Sequence, residues 1–254
     1  MSQGTPDKDH DAARRAFLRN AAAATVITLA PGVTLLTMGR AEAGIAKPSG
    51  PLDPKKRWGM LIDTTKCASG CDKCVAACKK ENGWEAREGS PTDPQWIRKV
   101  DVKDPGTGFE MSLPVMCQHC EHPPCVDVCP TGASMKRADG IVLVNRHICI
   151  GCRYCMMACP YKARSFEHHE VEESDKAPWA PRGQGTVEAC TMCVHRVDTG
   201  RIPACVEACD KGAMLFGDLN DANSDIAKRL AEYPSAQIRA DLGTNPGVRY
   251  AQLP

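Results

Sequence analysis

The chain has few aromatic side chains and almost no net charge. Phe, Trp and Tyr together make up 5% of its 254 residues, which is little for a chain that has to build a large apolar core. The formal net charge is +1, so there is no excess of positive charge with which to hold nucleic acid. The sequence C-x-x-C-H is also missing, which excludes covalently attached c-type haem. Something other than apolar burial therefore has to organise this fold.

Cysteine, in contrast, is abundant. The sixteen cysteines fall into four groups of four, with none left over. The groups are Cys67, Cys71, Cys74 and Cys78; Cys117, Cys120, Cys125 and Cys129; Cys149, Cys152, Cys155 and Cys159; and Cys190, Cys193, Cys205 and Cys209. A disulfide scaffold has no reason to repeat one short spacing four times. Zinc ribbons need only paired C-x2-C units. The grouping therefore favours iron–sulfur clusters over both alternatives.

The two central groups have the spacing of a bacterial ferredoxin. Residues 149–160 read CIGCRYCMMACP, the run C-x2-C-x2-C-x3-C-P without departure. Residues 117–130 carry the same run with two extra residues between its second and third cysteines. In a two-cluster ferredoxin the fourth cysteine of each run ligates the other cluster. This rule predicts two [4Fe-4S] clusters, here called site 3 (Cys117, Cys120, Cys125 and Cys159) and site 4 (Cys129, Cys149, Cys152 and Cys155).

The two outer groups are then left to pair with each other. The same crossover predicts site 1 (Cys67, Cys71, Cys74 and Cys209) and site 2 (Cys78, Cys190, Cys193 and Cys205). The alternative, which pairs the first group with the second and the third with the fourth, would break the inner run. Both outer groups depart from the simple spacing, since three residues separate Cys67 from Cys71 and eleven separate Cys193 from Cys205. All eight ligands are cysteine, so a [3Fe-4S] site is not indicated.

Residues 1–43 have the pattern of an export signal. Arg14 and Arg15 precede Phe-Leu and an uncharged run at residues 20–39, and a small-x-small sequence predicts cleavage before Gly44. The paired arginines resemble a twin-arginine (Tat) signal. Tat export suits a protein that must receive its clusters in the cytoplasm and cross the membrane folded. A retained membrane helix is the alternative, because the uncharged run is close to the minimum length for spanning.

The rest of the chain predicts an α+β fold made of two nested ferredoxin-like units, with short strands, cysteine loops and short helices. A strand, a cysteine loop and a helix follow one another twice, with strands expected at residues 58–63 and 141–144. Further strands are expected at residues 95–102 and 214–216, and a helix at residues 225–232 with Ser224 as its N-cap. The expected segments are a linker (44–56), the first outer group with an insertion (57–116), the inner unit (117–164), an insertion with the second outer group (165–218), and a tail (219–254). That tail is expected to be either disordered or laid on a partner.

Charged, aromatic and imidazole side chains adjoin the cysteines. These cations either raise the cluster potentials or are surface charges. They are Lys79, Arg153, Lys162, Arg164 and Arg196. Tyr154 and Tyr161 are expected to pack against clusters. With four complete cysteine sets, no histidine ligand is expected from His119, His122, His147 or His195. The histidines and carboxylates of residues 165–186 are expected to form a solvated loop, with a metal-binding cluster as the alternative. No nucleophile or proton-transfer group accompanies the cysteines, so no catalytic residue is assigned.

Four cysteine groups with this nesting resemble the four-cluster, ferredoxin-like electron-transfer subunits of membrane-bound oxidoreductases (the DmsB/PsrB/NrfC-like family). The resemblance covers about residues 57–218. Residues 57–63, 146–164 and 200–209 are similar to the periplasmic iron–sulfur subunits of DsrMKJOP-type complexes of dissimilatory sulfur metabolism.

The resemblance implies a periplasmic, non-catalytic subunit whose four [4Fe-4S] clusters relay electrons. It also implies a polytopic, quinone-reactive membrane partner of the NrfD type, which would hold the subunit at the membrane, and a multihaem cytochrome c in the same assembly. An alternative assembly is a periplasmic molybdopterin reductase for polysulfide, thiosulfate or tetrathionate. A subunit whose clusters are redox-inert and only structural is the alternative of another class.

Overall fold

The computed structural model describes residues 25–30, 33–37, 52–84, 92–171, 177, 179 and 182–252. In chain order its strands and helices are β1 (Thr25–Ala30), β2 (Val33–Thr37), β3 (Trp58–Asp63), α1 (Lys73–Asn82), β4 (Ile97–Lys103), β5 (Glu110–Met116), α2 (Pro124–Asp127), β6 (Ser134–Lys136), β7 (Val142–Val144), α3 (Tyr154–Ala158), β8 (Arg164–Phe166), β9 (Val187–Ala189), α4 (Val194–Val197), α5 (Ala204–Glu207), β10 (Met214–Asp218), α6 (Asp225–Glu232), β11 (Ser235–Ala236) and β12 (Val248–Ala251). Short strands and helices joined by cysteine loops make this an α+β fold, as predicted. The chain divides into two units, residues 1–45 and residues 46–254.

The first unit contains an antiparallel pair of strands. β1 and β2 pair from Thr25 opposite Thr37 to Ala30 opposite Val33. Thr and Val, which favour extended backbone, occur in both strands. The described part of the uncharged run is therefore extended and not helical. Arg14, Arg15 and the predicted cleavage position lie outside the described residues. In the part of the chain that the structure describes, no helix combines the length and apolar character needed to cross a membrane.

The largest sheet of the second unit has the strand order β10-β3-β12-β11. β3 pairs antiparallel with β10 and parallel with β12. Because β3 is central and covered on both faces, its apolar run from Met60 to Ile62 is buried. A Cβ at Gly59 would lie 2.7 Å from the Gly247 carbonyl oxygen. Glycine at this position therefore lets the chain entering β12 approach the central strand closely.

The end of the chain completes this sheet. Val248 and Tyr250 of β12 are 0% exposed, and the Tyr250 hydroxyl donates a hydrogen bond to the Pro114 carbonyl at 3.0 Å. Helix α6 begins as predicted, with the Ser224 hydroxyl accepting from the Ala227 N–H, and its Ile226 is fully buried. This packing corrects the expectation of a disordered tail, whereas contact of the tail with a partner stays a prediction. The tail becomes part of the fold because β3 leaves one edge open to it.

The short helices pack in nested pairs. α1 packs against α5, and these carry cysteines of the first and fourth groups. α2 packs against α3, and these carry cysteines of the second and third groups. The helices of the first and fourth cysteine groups are therefore neighbours, and so are those of the second and third groups. This is the same order as the predicted cluster pairing. Around them, β4 pairs with β5, β6 with β7, and β8 with β9 as separate two-stranded sheets.

Cysteine replaces much of the apolar core that the chain lacks. The central cluster of buried residues includes Met60, Ile62, Trp84 and Trp96, together with nine cysteines. Two of the four tryptophans are thus buried beside the cysteine loops. Since thiols occupy so much of the interior, the stability of this core depends on what the thiols bind.

The insertion between β8 and β9 is more ordered in its described part than a solvated loop. Glu167, Arg182 and Glu188 are buried there. Arg182 forms ion pairs with both carboxylates and donates to the Gly83 carbonyl at 2.9 Å. Glu188 also accepts from the Trp96 indole N–H at 3.0 Å. Buried charges need such partners, and here the partners exist. The expectation of a wholly solvated loop at residues 165–186 is therefore wrong for Glu167 and Arg182, whereas His168, His169 and Glu170 are exposed as expected.

Candidate iron–sulfur sites

All sixteen cysteines are free. The structure brings together the members of each predicted set, because their thiols are close enough to interact electrostatically. In site 1, Cys67 interacts with Cys71 and Cys209, and Cys74 with Cys67 and Cys209. In site 2, Cys190 interacts with Cys78, Cys193 and Cys205. In site 3, Cys117 and Cys120 each interact with Cys125 and Cys159. In site 4, Cys155 interacts with Cys149 and Cys129.

Two of the four sets stand around cavities of their own. One small cavity is lined by all four cysteines of site 2, with Met60, Trp96, Ile97 and Met116 among its apolar walls. A second small cavity is lined by all four cysteines of site 4, including Cys152. Neither lining contains a carboxylate or a histidine, so thiolate sulfur is the only strong metal ligand in either cavity.

These sets suit a cluster better than a single metal ion. Among the described residues, no three His, Cys, Asp or Glu side chains converge closely enough on one point to hold one ion. In sites 2 and 4 the four cysteines instead line one space, as the ligands of a [4Fe-4S] cubane have to do. The residues present therefore fit such clusters, which supply one-electron oxidation and reduction when bound.

Tight turns after the fourth cysteine of two groups supply hydrogen bonds to sulfur. The backbone N–H of Ser134 donates to the Cys129 sulfur, and that of Ala213 donates to the Cys209 sulfur, each at 3.3 Å. Both turns pass through a glycine with positive φ, 68° at Gly132 and 59° at Gly212. This geometry explains why the pattern C-x-x-Gly-Ala occurs twice. Hydrogen bonds to sulfur stabilise the thiolate and raise the potential of a bound cluster.

Site 2 has two side-chain donors that the cysteine spacing did not reveal. The Trp84 indole N–H donates to the Cys78 sulfur at 3.3 Å, and the Asn82 amide approaches the same sulfur at 3.6 Å. Both follow from the way α1 ends, because Gly83 adopts the left-handed conformation and turns the chain back toward the helix. In the sequence, the signal for the indole donor is a tryptophan that directly follows a glycine, a few residues after the fourth cysteine of the first group.

Most of these thiols would be neutral without iron. Burial raises the pKa of Cys78 and of Cys117 to about 12, and that of Cys74 and Cys120 to about 11. Iron binds the thiolate, so cluster insertion has to displace these protons. Cys129 differs: burial opposes ionisation, but hydrogen bonds from Ser134 and Thr131 bring its pKa below the ordinary value.

The four sets form a row with buried middle members and accessible ends. Every cysteine of sites 2 and 3 is buried, whereas sites 1 and 4 contain partly exposed cysteines and site 4 contains the exposed Cys152. Electrostatic interactions link adjacent sets, namely Cys78 with Cys74, Cys190 with Cys117, and Cys125 with Cys155. The order along the row is therefore site 1, site 2, site 3 and site 4.

The predicted neighbours of the cysteines divide into buried and exposed groups. Arg164 and Arg196 are buried, which corrects the alternative that they are surface charges, while Arg153 and Lys162 are exposed. Tyr161 is buried, but Tyr154 is 55% exposed and does not pack as expected. The outward position of Tyr154 follows from its place at the start of α3, beside the exposed Cys152.

The four histidines that adjoin cysteines in the sequence either make hydrogen bonds to other groups or are exposed. His119 is buried between two cysteines of site 3, but its Nδ1 accepts from the Val142 N–H at 3.0 Å. Burial lowers the pKa of His119 to about 3, so the ring is neutral and carries its proton on Nε2. His195 bonds to Glu81 at 2.7 Å, and His122 and His147 are exposed.

Comparisons with known proteins agree with this chemistry. Residues 109–219 match the family model described as a 4Fe-4S dicluster domain. Hdr-like menaquinol oxidoreductase iron-sulfur subunit 1 of Archaeoglobus fulgidus is 43% identical, over 94% of this chain and 98% of that protein. A tetrathionate reductase subunit of Salmonella typhimurium is 36% identical over 96% of this chain and 89% of its own length. Protein NrfC of Escherichia coli is 40% identical over 75% of this chain and 78% of its own length.

Proposed function

This chain belongs to the DmsB/NrfC-like family of iron–sulfur electron-transfer subunits, and we propose that it relays electrons through four [4Fe-4S] clusters held at sites 1 to 4. It is a non-catalytic subunit of a membrane-associated oxidoreductase complex. The observation that carries the proposal is the row of four cysteine sets with a buried middle and accessible ends. Electrons enter at one end, pass through two sites shielded from solvent, and leave at the other.

The proposed assembly belongs to dissimilatory sulfur metabolism and is of the DsrMKJOP type. In it, this chain takes the place of DsrO, in the periplasm, beside an NrfD-type quinone-reactive membrane subunit and a multihaem cytochrome c. A relative of nearly the same length is named as a subunit of a menaquinol oxidoreductase, which supports a quinol as the redox partner on the membrane side. The motif stretches at residues 57–63, 146–164 and 200–209 support the sulfur branch.

A second candidate assembly is a periplasmic molybdopterin reductase for polysulfide, thiosulfate or tetrathionate. It is favoured by the similarity to the tetrathionate reductase subunit, which extends over 96% of this chain. Isolation of the complex from native membranes separates the two candidates. The first predicts a co-purifying c-type haem and no molybdenum, whereas the second predicts molybdenum.

The relay itself is tested by a potentiometric titration of the anaerobically purified chain, followed by EPR. We expect several clusters to be reduced stepwise within the range open to such clusters, about −700 to +450 mV. Clusters that are present but cannot be reduced in this range would favour the redox-inert, structural alternative.

Export by the Tat pathway is tested with the conservative double variant Arg14→Lys, Arg15→Lys. Both positive charges are kept, so only the paired arginines of the signal are lost. We expect the protein to stop accumulating in the periplasm and to remain inside the cell with its clusters. The control Lys8→Arg leaves the pair intact and should be exported normally. Normal periplasmic accumulation of the double variant would contradict the Tat assignment.

A further inference from the structure

Arg164 is a buried cation at the centre of the inner cysteine sets. It is the first residue of β8 and follows the site 3 ligand Cys159 by five residues. Only 6% of its surface is exposed, although an arginine is among the least commonly buried residues. Its backbone is fixed by the pairing of β8 with β9, where Arg164 lies opposite Ala189. The guanidinium is therefore held in the interior by the sheet and is not free to reach solvent.

The partners of this guanidinium are sulfur atoms from two different sites. Its Nη2 donates to the sulfur of Cys125, a site 3 cysteine, at 3.1 Å. It also interacts electrostatically with Cys117 of site 3 and with Cys155 of site 4. One side chain thus faces both members of the inner pair. The planar fork of an arginine can address two acceptors in this way, whereas a lysine presents a single point charge.

No carboxylate among the described residues neutralises Arg164, and its Nη1 is buried without a hydrogen-bond partner. Other buried arginines are treated differently: Arg182 pairs with Glu188 and Arg196 with Glu207. A buried charge left unpaired costs several kcal/mol. Within the described part of the chain, the groups that face Arg164 are cysteine sulfurs, which become thiolate anions when a cluster is bound. A cubane held by four thiolates is itself an anion.

We propose that Arg164 is a charge bridge between sites 3 and 4, which stabilises the reduced state of both clusters and raises both of their potentials. The inference rests on the proposed function, because it requires clusters at these two sites. When a cluster accepts one electron, its negative charge grows by one and no bond is made or broken. A nearby cation favours that change, and it also weakens the repulsion between two reduced neighbours.

The bridge makes the inner pair a place where electrons can accumulate. Among the described residues, no comparable cation contacts both site 1 and site 2. Arg196 lies beside Cys193 of site 2, but its charge is already neutralised by Glu81 and Glu207. Sites 3 and 4 should therefore be reduced at higher potentials than the same sites would be without Arg164.

The test compares EPR-monitored potentiometric titrations of the full chain with those of two variants, Arg164→Gln and Arg164→Lys. We expect both inner clusters to have lower midpoint potentials in Arg164→Gln, with a smaller decrease in Arg164→Lys, while the two outer clusters keep theirs. The gap between the two inner potentials should also widen, because the reduced neighbours repel each other more. The matched control is Arg229→Gln, which removes the same charge from the surface helix α6 and should leave all four potentials unchanged.

Failure of this inference is distinguishable from failure of the proposed function. Full iron content with unchanged inner potentials in Arg164→Gln would overturn the bridge alone, whereas wild-type protein without clusters would overturn the proposed function. If Arg164→Gln loses the inner clusters, wild-type protein labelled with ¹⁵N only in arginine decides the matter. Pulsed EPR of the reduced inner clusters should then show a weak arginine nitrogen coupling through the N–H···S bond, and its absence would overturn the bridge.

Discussion

The sulfur of Cys78 illustrates how single residues adjust a cluster site. It accepts a hydrogen bond from the Trp84 indole N–H at 3.3 Å, inside a region that is almost closed to water. Such a bond is stronger in a low-dielectric interior than at the surface. It also withdraws charge from the ligand, which makes reduction of the cluster easier. Trp84 therefore combines two roles, since its ring also fills the core beside site 2.

The first prediction separates these two roles with Trp84→Phe. Phenylalanine keeps an aromatic ring in the core but lacks the indole N–H. We expect the potential of the site 2 cluster to fall while the iron content stays the same, because only the hydrogen bond to Cys78 is lost. An EPR-monitored titration measures this. An unchanged site 2 potential at full iron content would show that the N–H···S bond has no influence.

At this scale the sequence predicted the cysteine sets but not their surroundings. The spacing of the cysteines along the chain is enough to predict the four sets. The burial of Arg164 cannot be counted in this way, because it depends on where β8 pairs with β9 and on which thiols then face the side chain. Tyr154 is the converse case, since its proximity to cysteines along the chain does not bury it.

At the scale of elements, the helices pair in the nested order predicted for the cysteine groups. α1 packs against α5, and α2 against α3. This nesting brings cysteines of the first and fourth groups, and of the second and third groups, close together. The long link between Cys193 and Cys205 begins with α4, which covers four of its eleven residues.

The second prediction tests that crossover with Cys209→Ser. We expect loss of the site 1 cluster with sites 3 and 4 intact, so that iron falls from about sixteen to about twelve atoms per chain. Iron analysis and EPR of the inner clusters measure this outcome. The matched control Cys129→Ser should instead damage site 4. If Cys209→Ser removed an inner cluster, the nested pairing would be wrong.

The last strand provides the clearest case of an element that the sequence did not predict. Residues 248–251 form a strand whose pairing partner β3 lies far away in the chain. Local pattern can show that a segment is extended, but parallel pairing depends on long-range contacts that a single sequence does not reveal. The helix at residues 225–232 was predictable with its cap, because capping depends on neighbouring residues alone.

The third prediction concerns Tyr250 of this strand. Because its side chain is fully buried, Tyr250→Ala should cost about 3–5 kcal/mol of stability, as for other large aromatic truncations. Tyr250→Phe, which loses only the hydrogen bond to Pro114, should cost about 1 kcal/mol. The midpoint of thermal loss of cluster absorbance should fall in that order. Were the tail a free arm, both variants would behave as wild type.

At the scale of the whole molecule, the unit of residues 46–254 places short strands and helices around four cysteine sets. Nine of the 24 residues of the central buried cluster are cysteines, so cluster binding and the stability of the fold should depend on each other. The sets at the two ends of the row are partly accessible, while the two in the middle are buried. This arrangement is suited to passing electrons through the protein between two partners.

The most direct test of this arrangement is a count of iron and acid-labile sulfide in the anaerobically purified full chain. Four cubanes predict about sixteen iron atoms and about sixteen sulfides per chain. A colourless protein, or one that holds about eight of each when fully assembled, would contradict the central claim that all four cysteine sets bind clusters.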